Sequence, residues 1–137
     1  MTSPARRTVL RGAALAGAAG FCAAACGSAD SRGAALPTAP VELGAASEVP
    51  VGGARLYRDH KLVVSQPSEG QYKAFSAVCT HAGCVVDKVE KGRISCPCHG
   101  SAFDAATGKV LAGPAGAPLP ECPVKAEGGR LVAGPAA

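Results

Sequence analysis

The sequence predicts an all-β domain made of short antiparallel strands, and three observations point to it. From about Val41 onward, short apolar runs are broken every few residues by turn-forming residues. Two pairs of these runs face each other across brief Gly-containing turns. After residue 26, no stretch sustains apolar residues at helical spacing. Taken in order, Lys61–Ser65 (K-L-V-V-S) follows an Asp59-His60 turn and reads as a strand. Gln71–Val78 alternates, with Tyr72, Ala74, Ser76 and Val78 on one side and Lys73, Phe75 and Ala77 on the other. That strand runs directly into Cys79. Val85–Val89 and Arg93–Ser95 form a predicted hairpin around Glu90-Lys91-Gly92, and Val124–Glu127 and Arg130–Ala133 a second one around Gly128-Gly129. Outside the leader the only aromatic residues are Tyr57, Tyr72, Phe75 and Phe103, so the core is light. A small domain of this kind gains from covalent or metal staples.

The N-terminus has a different character. Arg6-Arg7 precede Thr8, Val9, Leu10 and Arg11, and an uncharged Ala/Gly/Leu run extends from Gly12 to Cys26. A basic start followed by a short apolar stretch matches an export signal, and paired arginines match the twin-arginine type. That route carries folded proteins, which suits a chain that receives a cofactor before export. As a membrane-spanning helix, the 15 residues from Gly12 to Cys26 fall short of the ~20 needed; an uncleaved anchor is the competing reading. Ala23-Ala24-Ala25-Cys26, followed by Gly27-Ser28, is similar to a lipobox, with Cys26 as the lipidated residue; ordinary cleavage within the alanine run is the other outcome. The expected organisation is therefore an export signal over 1–26, a flexible Gly/Ser/Pro-bearing linker over 27–40 and a β domain over 41–137. The expected location is the extracytoplasmic face of the cell membrane, with the chain anchored there.

Charge narrows the partners. Three of the 14 Lys and Arg residues lie in the leader, leaving 11 against 10 Asp and Glu. With a near-neutral domain and no basic tract, nucleic-acid binding has no support. Cysteine usage fits an oxidising compartment. Once Cys22 and Cys26 are set aside, Cys79, Cys84, Cys96, Cys98 and Cys122 remain. The odd member, Cys122, reads as a small buried hydrophobe in a strand.

The chemistry sits in two boxes, C-T-H-A-G-C at 79–84 and C-P-C-H-G-S at 96–101. One residue separates Cys79 from His81, and two separate Cys96 from His99, so each loop presents a thiolate and an imidazole from the same side. The 14 residues from Ala82 to Ser95 are enough for a hairpin that brings the loops face to face. Zinc also accepts two Cys and two His, but a zinc site does not require the extra cysteine in each box or the Gly-Ser-x-Phe-Asp continuation. A scaffold held by disulfides alone leaves both loop histidines unexplained. The third histidine, His60, lies in a turn beside Asp59 and receives no function.

These boxes, continued as C-P-C-H-G-S-A-F-D, resemble those of the disulfide-bearing Rieske 2Fe-2S proteins, including the iron-sulfur subunit of quinol–cytochrome c reductase, and the resemblance covers roughly Val41 to Val132. It implies a Rieske-type antiparallel β domain with two cluster-binding loops and one 2Fe-2S cluster. By the same resemblance, Cys79 and Cys96 bind one iron, His81 and His99 bind the other, and Cys84 and Cys98 form a disulfide. Gly83 and Gly100 permit tight turns, Pro97 stiffens the second loop, and G-P-A-G-A-P-L-P at 113–120 is similar to the proline-rich loop that covers the cluster. Replacing two thiolates by neutral imidazoles leaves the oxidised core uncharged, so reduction is easier than in an all-thiolate centre. Rieske potentials accordingly run from ~−150 to +300 mV, against ~−400 mV for plant-type ferredoxins.

The resemblance implies an electron-transfer subunit that does not turn over a substrate alone. Its partners would be (mena)quinol and cytochrome b and c components. The alternative is a stand-alone exported carrier, or the small subunit of another oxidoreductase of the arsenite-oxidase kind. Ferredoxins of aromatic-ring dioxygenases usually lack the disulfide and the export signal. In quinol-oxidising relatives a serine and a tyrosine hydroxyl donate to the cluster region. Ser101 keeps the first, whereas Phe103 stands at the tyrosine position and cannot donate. Losing a donor stabilises the reduced form less. Phe103→Tyr is therefore expected to raise the midpoint potential in voltammetry, and an unchanged potential would remove this role from position 103.

Overall fold

The computed structural model describes residues 36–135. The export-signal and Cys26 expectations lie outside them. Eleven strands form three antiparallel sheets. In chain order they are β1 (Val41–Ala45), β2 (Ala54–Tyr57), β3 (Leu62–Ser68), β4 (Gln71–Ser76), β5 (Lys88–Glu90), β6 (Arg93–Ser95), β7 (Ala102–Asp104), β8 (Val110–Ala112), β9 (Glu121–Cys122), β10 (Val124–Glu127) and β11 (Arg130–Ala133). The sheets have the orders β1-β11-β10, β2-β3-β4-β9 and β5-β6-β7-β8. Among the described residues the only helical pieces are single 3-10 turns at Ala46–Glu48 and Arg58–His60.

The expected all-β class holds. The second predicted hairpin has the predicted bounds, and Gly128 and Gly129 both take positive φ, as a two-residue type I′ turn requires. The first hairpin is shorter than expected. Its turn is Lys91-Gly92, again with both φ positive, and β5 begins only at Lys88. Val85 instead bridges Val78, and the Val86 N–H donates to the Ala77 carbonyl (2.8 Å), so the earlier residues close the base of a loop. Leu36, within the stretch assigned to a linker, packs against the core.

β3 and β4 hold the architecture together because both of their faces are buried. Leu62, Val64 and Ala74 point into one core with Leu43, Val49, Tyr57, Cys122 and Leu131. Val63, Phe75 and Ala77 point into the other, with Val86, Ile94, Phe103 and Leu119. Alternation along the strand produces this split, and the run Leu62-Val63-Val64 is apolar on both sides for the same reason. The second core continues straight into Cys79 and Cys96. The fold thus carries the first box just beyond the buried end of β4 and the second between β6 and β7.

One glycine shows how tightly that core closes. Gly108 has φ +71°, and a β-carbon there would stand 2.8 Å from the Phe75 ring and 3.1 Å from the Leu119 carbonyl. Asp104 shapes the approach: its Oδ1 accepts from the N–H groups of Ala106 (2.9 Å) and Thr107 (2.8 Å). Gly108→Ala is expected to lose on the order of 2–4 kcal/mol in denaturant unfolding, from left-handed backbone strain plus overpacking. Gly128→Ala, with φ +55° and open space around the site, should lose only the smaller backbone part. Equal losses at the two positions would contradict the packing argument.

Candidate metal centre

Two six-residue loops form the site, and they fold alike. In the first, between β4 and β5, the Cys79 N–H donates to the Cys84 carbonyl (2.7 Å) and the Gly83 N–H to the Cys79 carbonyl (3.0 Å). In the second, between β6 and β7, the Cys96 N–H donates to the Ser101 carbonyl (2.8 Å) and the Gly100 N–H to the Cys96 carbonyl (3.2 Å). Each loop opens on a cysteine and has a glycine four residues later, at φ +78° for Gly83 and +75° for Gly100. Neither glycine has a neighbour where a β-carbon would stand, so these positions favour glycine for its backbone freedom rather than for space. A disulfide between Cys84 and Cys98 joins the loops across the gap.

The donor atoms fall into two pairs. Cys79 and Cys96 are buried at 1% and 4% exposure, inside the core that includes Phe103. Burial pushes the Cys96 thiol above its ordinary value; backbone N–H groups of Cys98 and His99 act against this, while the adjacent Cys79 sulfur adds to it. His81 and His99 are exposed. Their Nδ1 atoms face each other at 3.3 Å, with the rings nearly perpendicular at 81°. Two nitrogens bound to one tetrahedral ion at ~2.0–2.1 Å would stand ~3.3–3.4 Å apart. The imidazole pair therefore has the spacing of two ligands on one metal.

The pairs do not merge into a single mononuclear site. Among the described residues, the one group of three or more metal-binding side chains with donor atoms within 4.8 Å of each other is Cys84, Cys96 and Cys98. Two of those sulfurs are bonded to each other, so that group is not a ligand set. The four donors of one tetrahedral zinc would lie within ~4 Å of each other, and here the histidine nitrogens do not group with the thiols. A buried thiol pair beside an exposed imidazole pair fits a two-metal cluster with a different ligand type at each end.

The 113–120 segment packs behind these loops. Ala115 and Leu119 are buried in the same core as Cys79 and Cys96. The Ser101 hydroxyl, itself fully buried, accepts from the Ala115 N–H (3.0 Å), which leaves its own hydrogen for a second partner. The Thr80 hydroxyl donates to the Ala117 carbonyl (2.7 Å). Each metal loop thus has one side-chain tie to the cover. Thr80 was not among the candidates read from the sequence; its only signal there is its place inside the first box. Pro97 is exposed on the second loop, and Phe103 is fully buried on β7. Cys122 is buried in the other core, as expected, and His60 lies in the Arg58–His60 turn, outside both loops.

Known proteins agree with this picture. Residues 39–123 match the Rieske [2Fe-2S] domain family. The cytochrome b6-f complex iron-sulfur subunit of Chlorobaculum tepidum is 41% identical over 93 residues, which are 66% of this chain and 50% of that protein. The cytochrome bc1 complex Rieske iron-sulfur subunit of Corynebacterium diphtheriae is 47% identical over 68 residues, covering 47% of this chain and 17% of that one. The chain spans about half or less of the length of these curated relatives. Among solved structures, the cyanobacterial plasma membrane Rieske protein PetC3 from Synechocystis PCC 6803 is 33% identical with a TM-score of 0.56, covering 68% of this chain and 97% of that one. The ferredoxin of carbazole 1,9a-dioxygenase from Nocardioides aromaticivorans IC177 is 26% identical with a TM-score of 0.55, covering 72% and 99%. With its paired donors, stapled loops and this match over most of the folded domain, the chain belongs to the Rieske 2Fe-2S family and carries one 2Fe-2S cluster.

Proposed function

We propose that this chain is an exported, membrane-anchored electron-transfer protein that takes electrons from a quinol and passes them to a cytochrome, as part of a cytochrome bc-type assembly. In this reading Cys79 and Cys96 hold the inner iron, and His81 and His99 the outer one. The observation that carries it is the polarity of the donor set: two thiols inside the core and two imidazoles at the surface. When bound, the cluster stores and releases one electron at ~−150 to +300 mV. His81 and His99, ligating through the facing Nδ1 atoms, keep each Nε2 for a hydrogen bond to a quinol hydroxyl or to a partner protein. The cover over 113–120 keeps water from the buried sulfurs. Cys84 and Cys98 hold the two loops at a fixed spacing, and Gly83, Gly100 and Pro97 shape them. Ser101 and Phe103 set the polarity behind the inner iron. The relatives' membership of cytochrome b6-f and bc1 complexes supports the quinol and cytochrome partners.

One observation favours a second reading, that of a stand-alone extracytoplasmic carrier or small oxidoreductase subunit. Dedicated quinol-oxidising subunits usually carry an insertion between the boxes, whereas here a single short hairpin, β5–β6, fills that interval. Isolation from native membranes separates the two: co-purifying cytochromes b and c support the first reading, and their absence supports the second.

Electron paramagnetic resonance of the reduced protein should give a signal with the low average g of mixed nitrogen and sulfur ligation. Alanine at Cys79, His81, Cys96 or His99 should each lower bound iron by at least ~10-fold, while His60→Ala keeps it. A zinc-loaded, diamagnetic protein, or iron retained in the histidine variants, would sink the ligand assignment.

A further inference from the structure

The Cys96 sulfur lies within 4.8 Å of both sulfurs of the Cys84–Cys98 disulfide. In the reading above Cys96 is a cluster ligand, so iron occupies its reactive lone pair. Without iron it is a thiol next to a disulfide, and the fold holds it there: its N–H is tied to the Ser101 carbonyl and its carbonyl to the Gly100 N–H. A turn of one side chain between staggered rotamers moves a sulfur by about 3 Å, enough to close the gap.

We propose that loss of the cluster lets Cys96 exchange with the staple, giving a Cys84–Cys96 disulfide and a free Cys98 thiol. The Cys96 sulfur, giving up its proton, attacks the Cys84 sulfur, which lies within 4.8 Å. The Cys84–Cys96 bond forms, the Cys84–Cys98 bond breaks, and its electron pair leaves on Cys98, which takes up the proton that Cys96 gave away. One disulfide is present before and after, so no oxidant or reductant is needed. Burial decides which sulfur is expelled. Cys98 is exposed and its departing thiolate is hydrated, whereas Cys84 is half-buried. Attack at Cys98 would instead close a ring through Pro97 alone, where the fixed proline φ resists it. The exchange removes a ligand, so a chain that has lost its iron cannot reload it until the bridge is reset. Cluster insertion must therefore precede, or accompany, formation of the staple.

This inference rests on the ligand assignment proposed above, and disulfide mapping tests it without measuring electron transfer. The full-length holoprotein is stripped of iron by a chelator under anaerobic, non-reducing conditions. It is held for the minutes to hours that uncatalysed rearrangement takes, quenched with acid, alkylated in denaturant and digested. Cys96 and Cys98 share one tryptic peptide, so fragmentation at Pro97 locates the alkylated cysteine. Untreated holoprotein should show Cys84 linked to Cys98 and Cys96 alkylated. Stripped protein should show Cys84 linked to Cys96 and Cys98 alkylated, and should fail to regain its visible absorption with iron and sulfide until treated with dithiothreitol. The metal-free Cys96→Ser chain should keep the Cys84–Cys98 bridge. A stripped protein holding only Cys84–Cys98, or forming Cys96–Cys98, would overturn the proposal. A chain isolated with no cluster but bearing Cys84–Cys96 would support exchange while counting against the electron-transfer reading. One with no cluster and only Cys84–Cys98 would overturn both.

Discussion

Everything at the metal site depends on the closure of two short loops by the same pair of backbone hydrogen bonds, held face to face. Each loop turns back on its first cysteine, whose N–H and carbonyl are both used in the closure. This fixes the direction of the cysteine side chain and leaves the histidine near the tip. Neither loop could position its donors alone to the few tenths of an ångström that metal ligation requires. β4 delivers one loop, and the β5–β6 hairpin sets the distance to the other. The covalent link and the cover then hold that distance.

The consequence is a site with an inside and an outside. Placing the Cys96 thiol in the core disfavours its charged form, and burial displaces its pKa upward. A metal reverses that preference, since thiolate ligation replaces the proton and neutralises the charge in the same step. Core packing and metal binding are therefore linked. Cys79 and Cys96 belong to the side of the core that contains Phe75, Ile94 and Phe103, so in the ligand assignment proposed above a filled site also completes the packing of a domain with few aromatic residues. The imidazoles of His81 and His99 lie at the surface instead, open to an external molecule.

Much of this was legible in the sequence, and the reasons are local. Glycine takes positive φ without strain, so a glycine-bearing turn between two apolar runs marks a hairpin. The one at Gly128-Gly129 could be read with its bounds, whereas the one around Glu90-Lys91-Gly92 could be read only in outline, its turn being Lys91-Gly92. Six sulfur and imidazole groups within residues 79–101 marked the site. Other features depend on what the chain meets in space. The strands Ala54–Tyr57, Ala102–Asp104, Val110–Ala112 and Glu121–Cys122 have two to four residues each, too few to show a period. The tie from Thr80 to Ala117 uses a carbonyl 37 residues away, and nothing about an alanine advertises its carbonyl. Nothing in the sequence sets Gly108 apart from the chain's 18 glycines, and only the Phe75 ring against it shows why a side chain has no room there.

The staple's contribution also has a limit that follows from its loop length. Cys84 and Cys98 are 14 residues apart, and in the chain-entropy account closing a loop of that size stabilises the fold by about 3 kcal/mol. A bridge from Cys84 to Cys96 would span 12 residues instead. Because the entropy depends on the logarithm of loop length, the two bridges differ by only about 0.1 kcal/mol on that score. Chain entropy therefore does not choose between them. What chooses is which sulfurs are occupied. If Cys96 holds iron, as proposed above, the staple that forms is the one compatible with the cluster, between Cys84 and Cys98. In the exchange proposed above, metal occupancy rather than the disulfide's own stability sets the connectivity.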